Sequence, residues 1–230
     1  MDSPPGSEWA PAESPPRFPY IEVMAGTAFR IPLFPLGVFL LPGERTGLHI
    51  FEPRYRQLIG ELEDALSEGR EQDNRFGIPF HHEDVTASTG CIARLVEVKK
   101  VHPGGRKDIV VECVGHFETR RFESVSSPKL YPAGQVVRRD IGLDAELETR
   151  HIALVMRIKE ILSERDIDVA GLPSTTISDI TTWLGLPPAH KHRLLTSNDE
   201  ERSDFMQSVL RWTLSILQQE SRIDKGFFPN

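Results

Sequence analysis

The sequence predicts an α+β fold, a mostly antiparallel β-barrel or curled sheet carrying one helix, followed by a C-terminal helical bundle. Three observations predict it. Between Thr89 and Arg139 β-branched and aromatic residues cluster in short runs separated by Gly- and Pro-containing turns, the pattern of strands. From about Asp144 the apolar spacing lengthens to three and four, the helical period. Ahead of both, Ile31–Gly43 is dense in apolar side chains but broken by Pro32, Pro35, Pro42, Gly37 and Gly43, so the chain must run extended, bend and run extended again.

Residues 1–28 carry Pro4, Pro5, Pro11, Pro15, Pro16 and Pro19 among small and acidic residues. Such a segment buries too little apolar surface to offset its ordering entropy, so a disordered tail is expected. After the Ile31 strand a helix starts at Pro53, where proline loses no needed N–H. Tyr55, Leu58, Ile59, Leu62 and Leu66 recur at helical spacing until Gly69.

Arg70–Asn74 reads as a loop and Arg75–Phe80 as a strand that Pro79 confines to an edge or an end. His81-His82-Glu83-Asp84 has the residue types of a metal cluster, but neighbours on an extended chain point to opposite faces, so no metal is expected there. Thr89–Val101 and Asp108–Val114 form a hairpin through His102-Pro-Gly-Gly-Arg106, and Phe117–Val125 and Tyr131–Arg139 add further strands.

In the helical part, Leu147, His151, Leu154, Val155, Ile158, Ile161 and Leu162 line one face of a helix over 144–163. Thr176-Ile-Ser-Asp179 has capping-box spacing and opens a short helix with Ile180, Trp183 and Leu184 inward. Leu186–Leu195 is a proline-started helix whose His190, Lys191 and His192 read as a surface basic cluster. Asn198 caps a final helix reaching about Ser221. The expected divisions are 1–28 tail, 29–142 β-rich, 143–223 helical and 224–230 tail.

Composition narrows the function. A net charge of −7 argues against general attraction to nucleic acid, and no apolar run approaches a membrane span. The start lacks a basic n-region and an apolar h-region, so a cytoplasmic location is expected. Cys91 and Cys113 fall in predicted strands and read as free core thiols. Neither a phosphate loop nor G-x-S-x-G nor H-E-x-x-H is present. The expectation is a non-catalytic, ATP-independent protein with no cofactor and no metal.

The punctuated strand, the Pro42-Gly43 turn and Ile50-Phe-Glu-Pro-Arg-Tyr55 closely resemble the opening of the Lon protease amino-terminal, substrate-binding domain. Gly90-Cys91-Ile92-Ala93, Gly105-Arg106, Val114-Gly115, Tyr131–Val136, and then Leu-Pro, a short helix, Leu-Leu, Asp-Glu-Glu-Arg202 and a long helix follow in the family's order. One departure is Glu118, where the family often has Arg-Phe three residues after the strand-ending glycine; Arg120-Arg121-Phe122 come later, as a local bulge or insertion would place them. The resemblance covers about 29–222, and a stand-alone form without the family's ATPase and peptidase modules is expected.

The resemblance implies a PUA-like β-domain and a helical appendage that hold unfolded or extended polypeptide without cutting it. Phe34, Phe39, Leu40, Phe51, Glu52, Arg54 and Tyr55 are the expected contacts, presented on an apolar edge, with a core role for the apolar ones as the competing reading. RNA binding along Arg94, Lys99, Lys100, Arg106, Lys107, Arg120 and Arg121 is the first alternative, weakened by the acidic total. Docking of one dedicated protein partner through the helices is the second.

Overall fold

A computed structural model describes residues 26–125, 127–140, 142–143, 145–169 and 176–224, with side chains to residue 220. The expected tails at 1–28 and 224–230 lie almost wholly outside these residues. Among these residues are six strands: β1 Phe29–Pro32, β2 Arg45–Ile50, β3 Arg75–His82, β4 Val85–Val101, β5 Lys107–Glu123 and β6 Ala133–Arg139. They form one antiparallel sheet of order β1-β6-β5-β4-β3, and β2 pairs with the first part of β5 while β6 pairs with the rest.

Two elements differ from the sequence reading. Arg45–Ile50, to which that reading assigned no element of its own, is a strand. Asp108–Val114 and Phe117–Val125 are one strand, because Gly115 continues the chain at φ +151 where the register jumps from Ile92–Gly115 to Ala93–Cys113. Val114 is the extra residue of a bulge, which bends a long strand without ending it. A second jump, between Thr119 and Arg121 opposite β6, makes Arg120 the extra residue of another bulge.

The sheet curls but does not close. Its end strands are linked where the chain after β1 touches β3, through the parallel bridges Leu33–Gly77 and Leu36–Phe80. The Leu33 side chain is wholly buried, and a Cβ on Gly77 or Gly134 would meet it at 2.8 Å. Glycine is needed at both places to let this leucine in.

The helices are α1 Pro53–Ser67, α2 Thr149–Ser163, α3 Ile177–Trp183, α4 Pro188–Thr196 and α5 Asp199–Asp224. α2 starts five residues later than the apolar spacing suggests. The chain ahead of it is tied to the entry of α3 instead, by Ser178 N–H to the Leu143 carbonyl (2.9 Å) and Ile177 N–H to that of Ala145 (3.3 Å). Thr176 caps α3 by accepting from Asp179 N–H at 3.1 Å. Asn198 and Glu201 cap α5 reciprocally, side chain to backbone in both directions.

α1 covers one face of the sheet, burying Tyr55, Leu58, Ile59 and Leu62 against Phe76, Ile78, Leu95 and Val111. The helical core gathers Val155, Ile158, Ile180, Leu194, Met206 and Leu210, and it also takes in Leu41 from the punctuated segment. No helix among the described residues is long and apolar enough to cross a membrane.

Candidate functional site

The segment Leu33–Tyr55 links all parts of the molecule, and its residues divide sharply by exposure. Pro35 and Pro32 keep the chain extended, so Phe34 N–H reaches the Gly77 carbonyl (2.8 Å) and Leu36 accepts from His81 N–H (2.9 Å). The backbone of this part is therefore spent on β3. Phe34 is buried and stacks on Tyr55 with ring centres 3.6 Å apart. Phe39 is buried between the rings of His116, Phe80 and His192, at 5.2, 5.9 and 5.3 Å. Leu40 is buried too; its N–H donates to Cys91 Sγ (3.1 Å) and its carbonyl accepts from His116 Nε2 (2.8 Å).

Of the expected contact residues, Phe51, Glu52 and Arg54 remain at the surface. Phe51 is 59% exposed, with the His49 ring alongside it at 6.1 Å. Arg54 pairs with Glu52 at 2.8 Å and lies over the Tyr55 ring at 4.6 Å, which fixes both charges at the start of α1.

Directly before Phe51 runs β2. It pairs with β5 on one side, and among the described residues no backbone hydrogen bond leaves it on the other. Arg45, Gly47 and His49 are exposed, and Thr46 and Leu48 half-buried. This is a short strand edge with unspent N–H and C=O groups, running into an exposed aromatic ring.

Next to β2, His49 Nδ1 and His102 Nε2 each lie 2.6 Å from a different oxygen of Asp108. Hydrogen bonds from His49, then from His102, hold the Asp108 carboxyl below its ordinary range. A second group, Cys91, Cys113 and His116, is buried in the sheet. Its thiols are free, and they donate to the carbonyls of Leu40 and Gly115 at 3.3 Å. Burial pulls His116 down to about 4, so its ring is neutral.

A cleft of about 350 Å³ lies between α1 and the chain before β6, lined by Leu58, Leu62, Ala65, Lys129 and Tyr131. One of its three acids, Glu61, accepts from Lys129 (2.6 Å) and from the Tyr131 hydroxyl, and burial first, then this bond, pushes the phenol up to about 12. Both partners hold the carboxylate, so the cleft presents a satisfied triad rather than a nucleophile with its base.

Four of the seven basic residues of the RNA alternative lie beside acids. Arg94 meets Glu112 (3.0 Å), Arg120 meets Glu118 (3.2 Å), Lys99 is 3.9 Å from Glu97, and Lys107 pairs with Glu63. Lys191 and His192 do not form the surface cluster expected of them. Lys191 is buried against Glu44, and His192 is half-buried, its Nε2 2.7 Å from Thr89 Oγ1. Sequence reading missed this seam between helices and sheet because Glu44 and Lys191 are distant in the chain and neither has a telling motif around it.

The profile of the ATP-dependent protease La (LON) substrate-binding domain matches residues 30–219. The crystal structure of a Lon N-terminal domain protein from Xanthomonas campestris superposes with a TM-score of 0.54 at 24% identity, covering 80% of this chain and 98% of that one. The N-terminal domain of a Mycobacterium avium complex Lon protease gives 0.43 at 20% identity, covering 82% and 96%. No curated protein matches the chain significantly.

Proposed function

We propose that this chain, which belongs to the Lon substrate-binding domain family, is an ATP-independent module that holds extended or unfolded polypeptide without cutting it. The observation that carries the reading is the open edge of β2 ending at Phe51. A guest strand that adds to β2 gains main-chain hydrogen bonds whatever its sequence, which suits a binder of many clients. Phe51 offers a ring face to an apolar client side chain, and Glu52 and Arg54 offer a charge of each sign beside it. Phe34, Phe39, Leu40 and Tyr55 serve this site from beneath, fixing the path that brings β2 to the surface. A PUA-like description of the sheet and a cytoplasmic location, where Cys91 and Cys113 stay reduced, belong to the same proposal.

Hydrogen exchange with a permanently unfolded, carboxymethylated client tests it. The expected result is added protection of the Thr46–Phe51 amides at saturating client. Protection confined to α2–α5 would instead favour docking of a partner on the helices, and no protection anywhere would remove the polypeptide-holding role.

A further inference from the structure

We infer that His49, His102 and Asp108 form a surface site for a divalent transition-metal ion, of which Zn²⁺ is the natural test. One ligand atom from each, two imidazole nitrogens and a carboxylate oxygen, lies within 4.8 Å of the other two. Two imidazoles and one carboxylate are a donor set that suits zinc and its neighbours and leaves coordination positions for water or a partner group.

The scaffold is rigid where it matters. His49 and Asp108 are directly opposite in the β2–β5 ladder, so the pairing register alone brings them together. His102 is placed by the β4–β5 turn, closed by its own N–H donating to the Arg106 carbonyl at 2.8 Å. The ladder and this turn would hold the ligands with or without an ion, which is the preorganisation that a site needs.

Access and protonation also fit. The side chains of His49, His102 and Asp108 are 49, 23 and 38% exposed, so an ion enters without any rearrangement of the core. An entering ion replaces the ring-to-carboxylate hydrogen bonds: His49 Nδ1 and His102 Nε2 give up the protons they donate to Asp108, and each ring then carries its proton on the other nitrogen. Lys100 is opposite Asp108 on the β4 side and exposed, so its flexible ammonium can swing away from the incoming charge. The buried Cys91–Cys113–His116 group is the competing candidate, but its thiols already donate to carbonyls and solvent does not reach them.

Zinc titration of the tag-free full chain by calorimetry, in a buffer that does not chelate, tests the inference. The expected result is one equivalent bound, with affinity lowered roughly tenfold or more in each of His49→Gln, His102→Gln and Asp108→Asn. A His81→Gln/His82→Gln chain should bind as the parent does. Circular dichroism of each variant without metal should match the parent, since all three positions are at the surface. Cobalt(II) gives a second readout: d–d absorption without a thiolate charge-transfer band is expected. No zinc uptake, equal affinity in His102→Gln and Asp108→Asn, or a thiolate band that assigns the ion to Cys91 and Cys113 would each overturn the site.

Discussion

Lys191 on α4 donates to both carboxylate oxygens of Glu44, at 2.6 and 2.7 Å, with the two side chains only 10 and 16% exposed. Thr182 of α3 and the Leu41 N–H also donate to this carboxylate. The pair ties the helices to the sheet, and removing one member strands a nearly buried charge. Lys191→Met should cost about 3 kcal/mol of unfolding free energy in urea. Glu44→Leu combined with Lys191→Met should recover part of that loss, a non-additivity that a double-mutant cycle would expose.

Gly90 is paired with Pro79 in the β3–β4 ladder. A Cβ there would lie 2.1 Å from the Ile78 carbonyl oxygen and 2.8 Å from the Pro79 Cα. Both are backbone, so no rotamer change relieves the clash. Gly90→Ala should destabilise by about 4 kcal/mol or more, or fail to give folded protein. Gly60→Ala, in α1 with open space around its Cβ, should be neutral or stabilising by up to about 1 kcal/mol. Thermal melts of the two variants side by side decide the point.

Acid should weaken the fold through His116. Its folded value is about 4, depressed mainly by burial, against an ordinary value of 6.5. Below 6.5 the unfolded chain takes up a proton that the folded chain refuses. Stability is therefore full above 6.5 and falls by about 1.4 kcal/mol per pH unit down to about 4. Replacing the ring by Gln removes that proton uptake, so the His116→Gln chain should show a shallower loss between pH 6.5 and 4. Denaturant unfolding across that window measures the difference in slope.

Phe51→Ser should leave stability within about 0.5 kcal/mol, because the ring is largely in solvent. Affinity for an unfolded client should fall about fivefold or more if the ring is an anchor of the β2 edge. Fluorescence anisotropy with a labelled unfolded peptide reads the second effect, and a melt reads the first.

The larger architecture was legible because it follows period and punctuation. Strands β3 to β6 show in their β-branched runs, and the helices in their spacing and in the caps at Thr176 and Asn198. β2 was harder, since Arg45–Ile50 is short, interrupted by Gly47 and caught between a Pro-Gly turn and a proline-started helix. Gly115 looked like a strand end because a bulge and a turn ask for the same residue. The candidate site was legible only in part. Phe51, Glu52 and Arg54 were named with four neighbours that the core absorbs, because apolar content alone does not tell a covering ring from a covered one. His49, His102 and Asp108 come together through strand register and turn geometry, and no local motif carries either.

The placement of Leu41 in the core of the helices has a practical consequence. A chain cut between β6 and α2 would not yield two independent folding units. The amino-terminal piece would display a greasy plug together with the unpaired Glu44, and the carboxy-terminal piece would have the socket and an orphaned Lys191. Both fragments are expected to be sticky when made alone and to reassociate when mixed. Grafting the helices of a relative onto this sheet would succeed only if the donor brought a socket shaped for Leu41.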